Sequence, residues 1–284
     1  MENTVSFEKN SFGKRLKSMI RVDLSRMFKS KLFYILIATA LLIPVLITVM
    51  MTMMDGTVSK DPQTGVETVM EGPDNAWQSI GALPTEGNES SEAPSDGAGA
   101  MGAMGGMDVM SMCNINMMFM LVAVFICLFI SEDFRSGYSK NLFTVRADRG
   151  EYVISKTLAG FLAGTFMLLA YFIGAMLGGA ISSLSFDLGS LSILNVVMCM
   201  AAKIFLMLVF VSIDVIVSVA AKQMAWLSLC GSLGAGMLLF MMVSMITPLS
   251  STIINVVLCI AGGAMFGFGL GIGSRSILRK TSLV

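Results

Sequence analysis

Histidine is absent from the 284 residues. Without an imidazole, a Ser-His hydrolase and a His-based metal hydrolase are both excluded. Charge is scarce too, at 13% of residues. Asp214 is the only acid well inside a long apolar run, so a two-carboxylate intramembrane protease lacks its second acid. No G-x-x-x-x-G-K-[ST] pattern occurs, and the chain therefore has no P-loop of its own to bind and hydrolyse ATP. The five cysteines (Cys113, Cys127, Cys199, Cys230, Cys259) lie in or beside apolar runs, with none paired in the long polar segment. They make no disulfide framework and read as small apolar residues. The expectation is a chain that is not an enzyme, with no catalytic, cofactor or metal site and no nucleic-acid partner.

What is present is apolar surface. Hydrophobic residues make up 55% of the sequence and mean hydropathy is +0.79. Several runs of eighteen or more residues are almost free of charge, each long enough to cross a hydrocarbon core of ~30 Å as a helix. Backbone groups in lipid must be satisfied within their own segment, which selects helices. The fold class expected is all-α, a polytopic membrane protein. Its six transmembrane helices are placed at 32–54, 114–131, 153–182, 191–220, 225–246 and 252–273.

Net charge is zero, but its distribution is uneven. Seventeen of the 19 Lys and Arg lie in four segments beside apolar runs: eight before residue 32, five between Arg135 and Lys156, then Lys222, then Arg275, Arg279 and Lys280. The positive-inside rule puts all four in the cytoplasm, with both termini inside and the tail at 274–284. A charged start of some thirty residues and an apolar stretch from Leu32 to Met54 are both too long for a signal peptide. Within 1–31, Phe12, Leu16, Met19, Ile20, Leu24, Met27 and Phe28 recur at helical spacing among basic residues. This predicts an amphipathic helix in the cytoplasmic interface, or a basic anchor that orients the first span.

Residues 55–113 form a long polar segment with ten acids against the single Lys60, read as a flexible outside loop with a short helix near Trp77 to Ile80. The stretch Met101, Met104, Met107, Met110, Met112, Cys113 has soft ligands that suit Cu(I). Methionine is abundant throughout, however, and the packing reading is preferred. Glycines four apart, Gly160 and Gly164 or Gly174 and Gly178, predict close helix packing, as do Gly231, Gly234 and the run Gly262 to Gly273. That last run is no dinucleotide fingerprint, because no strand precedes it.

Two charges fall inside the apolar runs, Lys203 and Asp214, both on the fourth span. Eleven residues is almost three turns, so they share a face ~16 Å apart and cannot pair. They line a translocation path or dimer seam, or else snorkel or find partners on another helix.

The segment 132–152 carries the most information. Phe134, Tyr138 and Leu142 stand four apart, with Phe143 and Val145 beside them. A short helix here would show an aromatic knob to the cytoplasm, for a groove in a partner protein or for lipid headgroups. An acidic residue followed by Phe-Arg-Ser-Gly, then a short helix, then Arg-Gly-Glu and a Lys opening the next span resembles the loop between spans two and three of ABC-2 type permeases. Glu132, Phe134, Arg135, Ser136, Gly137, Asn141, Leu142, Arg149, Gly150, Glu151 and Lys156 carry the likeness. The resemblance implies a coupling helix that docks into a separate cytoplasmic ATP-binding cassette ATPase subunit, which holds the ATP-Mg. It implies contact through Glu132, Phe134, Arg135, Gly137, Tyr138, Leu142, Phe143, Arg149 and Glu151. It also implies a homodimer or a homologous permease partner in the plasma membrane, exporting an amphipathic peptide, antibiotic or lipid-like molecule. The long acidic loop departs from the family pattern and leaves the substrate open. Two other readings stand beside it: an ion-coupled secondary transporter using Lys203 and Asp214, and a non-transporting membrane sensor or scaffold.

Overall fold

The computed structural model of the chain describes residues 12–60, 67–69, 73, 75–79, 115–145, 149–189 and 191–280. Its helices are α1 (Phe12–Lys29), α2 (Lys31–Met54), α3 (Met118–Arg135), α4 (Tyr138–Val145), α5 (Gly150–Ile181), α6 (Ile193–Ala221), α7 (Ala225–Ile246) and α8 (Ile253–Lys280). A two-stranded antiparallel pair, β1 (Val58–Lys60) with β2 (Glu67–Val69), and 3₁₀ turns at Ala76–Ser79 and Ile115–Met117 complete it.

Five helical segments are long and apolar enough to cross a membrane: Lys31–Met54, Ile115–Arg135, Gly150–Ile181, Ile193–Ala221 and Ile253–Leu278. In α7, Ala225–Leu239 forms a shorter apolar helix. Many large apolar side chains point outward, among them Leu46, Met53, Leu238, Met265 and Phe268, a surface suited to lipid. The chain is a multi-pass membrane protein.

Three junctions differ from the expected boundaries. The second apolar helix runs on to Arg135 rather than ending at 131, because Ser131, Asp133 and Phe134 are buried and held by neighbouring helices. The last helix continues to Lys280, well past 273, with Ser274 and Leu278 buried in its added turns. The polar segment after α2 is tied down at one point: the Ala76 amide donates to the Ser185 carbonyl at 3.0 Å and Trp77 packs edge-on against Phe186. The methionine-rich stretch from Met101 to Cys113 and the acidic run from Thr85 to Gly99 lie outside the described residues.

Close helix approaches are made at glycine. A Cβ on Gly174 would strike the Leu41 carbonyl oxygen, and one on Gly178 would lie 3.1 Å from Val45 Cα, so α2 and α5 touch backbone to backbone. Gly160 and Gly164 seat α5 against Ile126 and Val122 of α3 and against Val211 and Met207 of α6. Gly263 lets α8 approach the Phe205 carbonyl of α6. The core between these helices holds Phe33, Phe125 and Tyr171 and a stacked pair, Phe119 and Phe210, with centroids 4.4 Å apart.

One end of the bundle gathers α1, the α3–α4–α5 junction and the α6–α7 turn, and is called the charged end below. The other end carries Asn116, the Asn75–Ser185 bridge and the α7–α8 turn.

Candidate functional site

The charged end is organised by a buried ionic network. Asp23 falls one turn from Met19 and one turn from Met27 on α1, and all three are buried, so a carboxylate sits in the apolar stripe of that helix. Lys156, near the start of α5, places its Nζ 2.8 Å from Asp23 Oδ1 and 2.7 Å from Asp133 Oδ2. Arg26 Nη1 lies 2.7 Å from Asp133 Oδ1. The hydroxyls of Tyr152 and Ser155 donate to Asp133 and Asp23 respectively. Two acids and two bases balance across three helices, with Asp23, Asp133 and Lys156 buried and Arg26 partly exposed. Such a cluster is costly to desolvate and very sensitive to loss of one member.

Aromatic faces complete the cage. Lys156 Nζ stands 4.0 Å from the Phe129 centroid, and the Arg26 guanidinium lies 4.3 Å over the Tyr138 ring. Desolvation alone would lower the Arg26 pKa, but the Asp133 and Asp23 carboxylates more than offset it and hold the group above its ordinary value. Burial raises the Tyr138 phenol, as do Asp23 and Asp133, against a smaller opposing pull from Arg26. Beside the network, Arg15 Nε reaches Glu151 Oε1 at 3.2 Å in the first turn of α5, where an acid also complements the helix dipole.

The aromatic knob expected at 132–152 is turned inward. Phe134 is 5% exposed and packs edge-on against Tyr152, with centroids 6.5 Å apart. Phe143 does the same at 5.4 Å, and Arg149 lies 5.4 Å over the Phe143 ring. Tyr138 and Leu142 are half-buried. The reason is energetic: a folded chain with Tyr152 available buries its aromatics there rather than leaving them in water. What faces outward is polar: Glu132, Arg135, Ser136, Lys140, Asn141 and Thr144. Gly137 turns the chain between α3 and α4 with φ +74, a conformation natural only to glycine.

Lys203 and Asp214 share the face of α6 that meets α3 and α7, and both are at most 3% exposed. Neither snorkels. Lys203 Nζ donates to Asn116 Oδ1 at 2.8 Å, to Thr247 Oγ1 at 2.9 Å and to the Thr247 carbonyl at 3.2 Å. All three ammonium protons have neutral acceptors, and among the described residues no carboxylate pairs with it. Asp214 bonds the Ser232 hydroxyl, and its Oδ2 has no partner among the described residues.

Sequence reasoning missed Asp23, Asp133 and Tyr152. The signal existed, since an acid inside an apolar helical stripe needs a buried cation, and Lys156 opens a span.

No family model matches the chain, and no curated protein or solved structure matches it either.

Proposed function

We propose that the chain is the membrane-spanning subunit of an ATP-binding cassette exporter, driven by a separate ATPase subunit docked at the charged end. In this reading all six apolar helices span, the charged end and both termini lie in the cytoplasm, and α1 rests in the interface there. The permease pairs with a second copy or a homologous subunit in the plasma membrane, and an amphipathic peptide, antibiotic or lipid-like molecule is the cargo.

The observation that carries the proposal is the construction of the α3–α4–α5 junction. Its sequence resembles the ABC-2 coupling loop. Its inner face, Phe134, Tyr138 and Phe143, is fixed to the ionic network, while its outer face offers Glu132, Arg135 and Lys140 to solvent. A push on such a segment is delivered to α1, α3 and α5 together rather than absorbed by a loose loop. The inward packing of Phe134 shifts the expected docking contact from an apolar knob to a charged rim.

Arg135→Glu with Lys140→Glu tests this. The double variant should reach the membrane at wild-type level yet lose docking of the ATPase several-fold, with a flatter or inverted salt dependence for what remains. Absence of a stoichiometric P-loop ATPase from wild-type protein purified in mild detergent would overturn the reading. An ion-coupled transporter is the second reading, favoured by the shared buried face of Lys203 and Asp214; it requires flux without any ATPase.

A further inference from the structure

Three helices meet around Asp214, and each brings two small polar side chains one turn apart. These are Asp214 and Ser218 on α6, Cys127 and Ser131 on α3, and Ser228 and Ser232 on α7. All six are at most 3% exposed. Five of them are joined in sequence. The Ser228 hydroxyl donates to Ser218 Oγ at 2.8 Å, the Ser218 hydroxyl to Cys127 Sγ at 3.5 Å, and the Cys127 thiol to Ser232 Oγ at 3.3 Å. Ser232 bonds the Asp214 carboxylate, the innermost member of the ladder.

Ser131, one turn from Cys127, donates to the Gln223 carbonyl at 3.3 Å in the exposed α6–α7 turn. It also lines a cleft of about 230 Å³ together with Ser30, Glu132, Arg135 and Ala225. Ser131 thus brings the cleft to within one helical turn of Cys127, ~6 Å along the α3 face.

Asp214 Oδ2 is buried with no partner among the described residues. A carboxylate so placed is poorly compensated, and a proton on Oδ2 removes the uncompensated charge. No other charge does so. On α3, Asp133 is engaged with Arg26 and Lys156, while Glu132 and Arg135 face solvent. On α5, Glu151 pairs with Arg15 and Lys156 with Asp23. On α6 itself Lys203 is held by Asn116 and Thr247. Helix α7 has no charged residue, and its Cys230 is exposed. Arg275 lies beyond Gly273 on α8, where Gly273 packs on Ile216, and it is not among the groups that act on the Asp214 carboxyl.

We propose that Asp214 is a proton-binding site inside the membrane, filled and emptied from the charged end through Ser131, Cys127 and Ser232, with Ser218 and Ser228 holding Cys127 in line. Cys127 and Ser232 each take one proton and pass on their own, so the only net change is a proton on the Asp214 carboxyl. A metal-ion site is disfavoured by the donor set, since one carboxylate and one adjacent hydroxyl fall short of a cation's oxygen shell. The site goes beyond the exporter proposal and does not depend on an ATPase.

The test is infrared difference spectroscopy on the full-length chain in liposomes, stepping pH and exchanging into deuterium oxide. Wild type should show a protonated-carboxyl band that Asp214→Asn removes and Asp214→Glu moves in frequency without loss. The Glu variant retains a reading should the Asn variant fail to fold. Ser218→Ala with Cys127→Ala should slow deuteration of the band roughly tenfold, the scale of one lost hydrogen-bonded step. A band that survives in Asp214→Asn, the absence of any such band in wild type, an unchanged exchange rate in the ladder variant, or displacement of the proton by sodium at fixed pH would each overturn the proposal.

Discussion

At the scale of single residues, the chain places its polar chemistry where lipid would punish it most. Asp133 accepts from Arg26, Lys156 and Tyr152 at once. Asp133→Ala leaves two cations facing Asp23 alone, and loss of one member of a buried ionic set costs about 3 kcal/mol or more. Adding Lys156→Met to that variant restores much of the loss, because the second substitution removes the stranded charge. Detergent-solubilised protein, unfolded by heat or by SDS, gives the comparison directly. Tyr138 supplies a second residue-scale prediction. Its pKa is raised on folding from 10.0. The folded state thus holds the phenolic proton more tightly, and this contribution is present below pH 10 and lost as pH rises through the folded value. Wild type should destabilise more steeply above pH 10 than Tyr138→Phe, measured as the unfolding midpoint against pH.

At the scale of elements, glycine decides which helices can touch. Gly174→Ala sets a methyl group against the Leu41 carbonyl, a backbone atom that cannot step aside as a flexible side chain would. Overpacking of that kind costs about 1–3 kcal/mol, so thermal stability of Gly174→Ala should fall clearly. Gly271→Ala should leave it unchanged, since a Cβ there meets nothing within 4 Å. The sequence showed both as small residues in apolar helices. Only the structure separates them, because spacing reveals a helix face but not which neighbour lies on it. The same limit explains the junctions. Apolar periodicity found the long helices to within a few residues, yet stopped α3 at 131, because Glu132 and Asp133 look like loop residues until Arg26 and Lys156 appear opposite Asp133. Phe134, Tyr138 and Leu142 read as one helical face, but the turn at Gly137 puts Phe134 on α3 and the other two on α4, and the inward direction of Phe134 was not legible, for it depends on Tyr152. Asp214 and Lys203 were legible as buried charges sharing a face. Their partners Ser232, Asn116 and Thr247 were not, since uncharged polar residues in apolar runs carry little signal alone.

At the scale of the whole molecule, the two ends of the bundle differ in kind, and the positive-inside rule turns that difference into a testable orientation. Among the described residues, one end carries the basic side chains of α1, of the α3–α4–α5 junction and of the α6–α7 turn, and the other carries Asp55 and Asp187. Helices α2, α7 and α8 present apolar side chains such as Leu46, Met53, Leu238, Met265 and Phe268 along their outer faces, while most of the buried polar chemistry lies on α1, α3, α5, α6 and the inner face of α7. If positive charge sets the orientation, Lys222 in the α6–α7 turn lies inside the cell and Asp187 in the α5–α6 turn lies outside. Both are exposed, so either position accepts a reporter cysteine at little cost to the fold. Cys230 is also exposed, so its thiol must be replaced before labelling. In a cysteine-free background, a membrane-impermeant maleimide should modify Asp187→Cys in intact cells and Lys222→Cys only after permeabilisation. Labelling of Lys222→Cys from outside would put the ionic network on the far side of the membrane from any cytoplasmic ATPase, and the lever built on α4 would then have nothing to drive it.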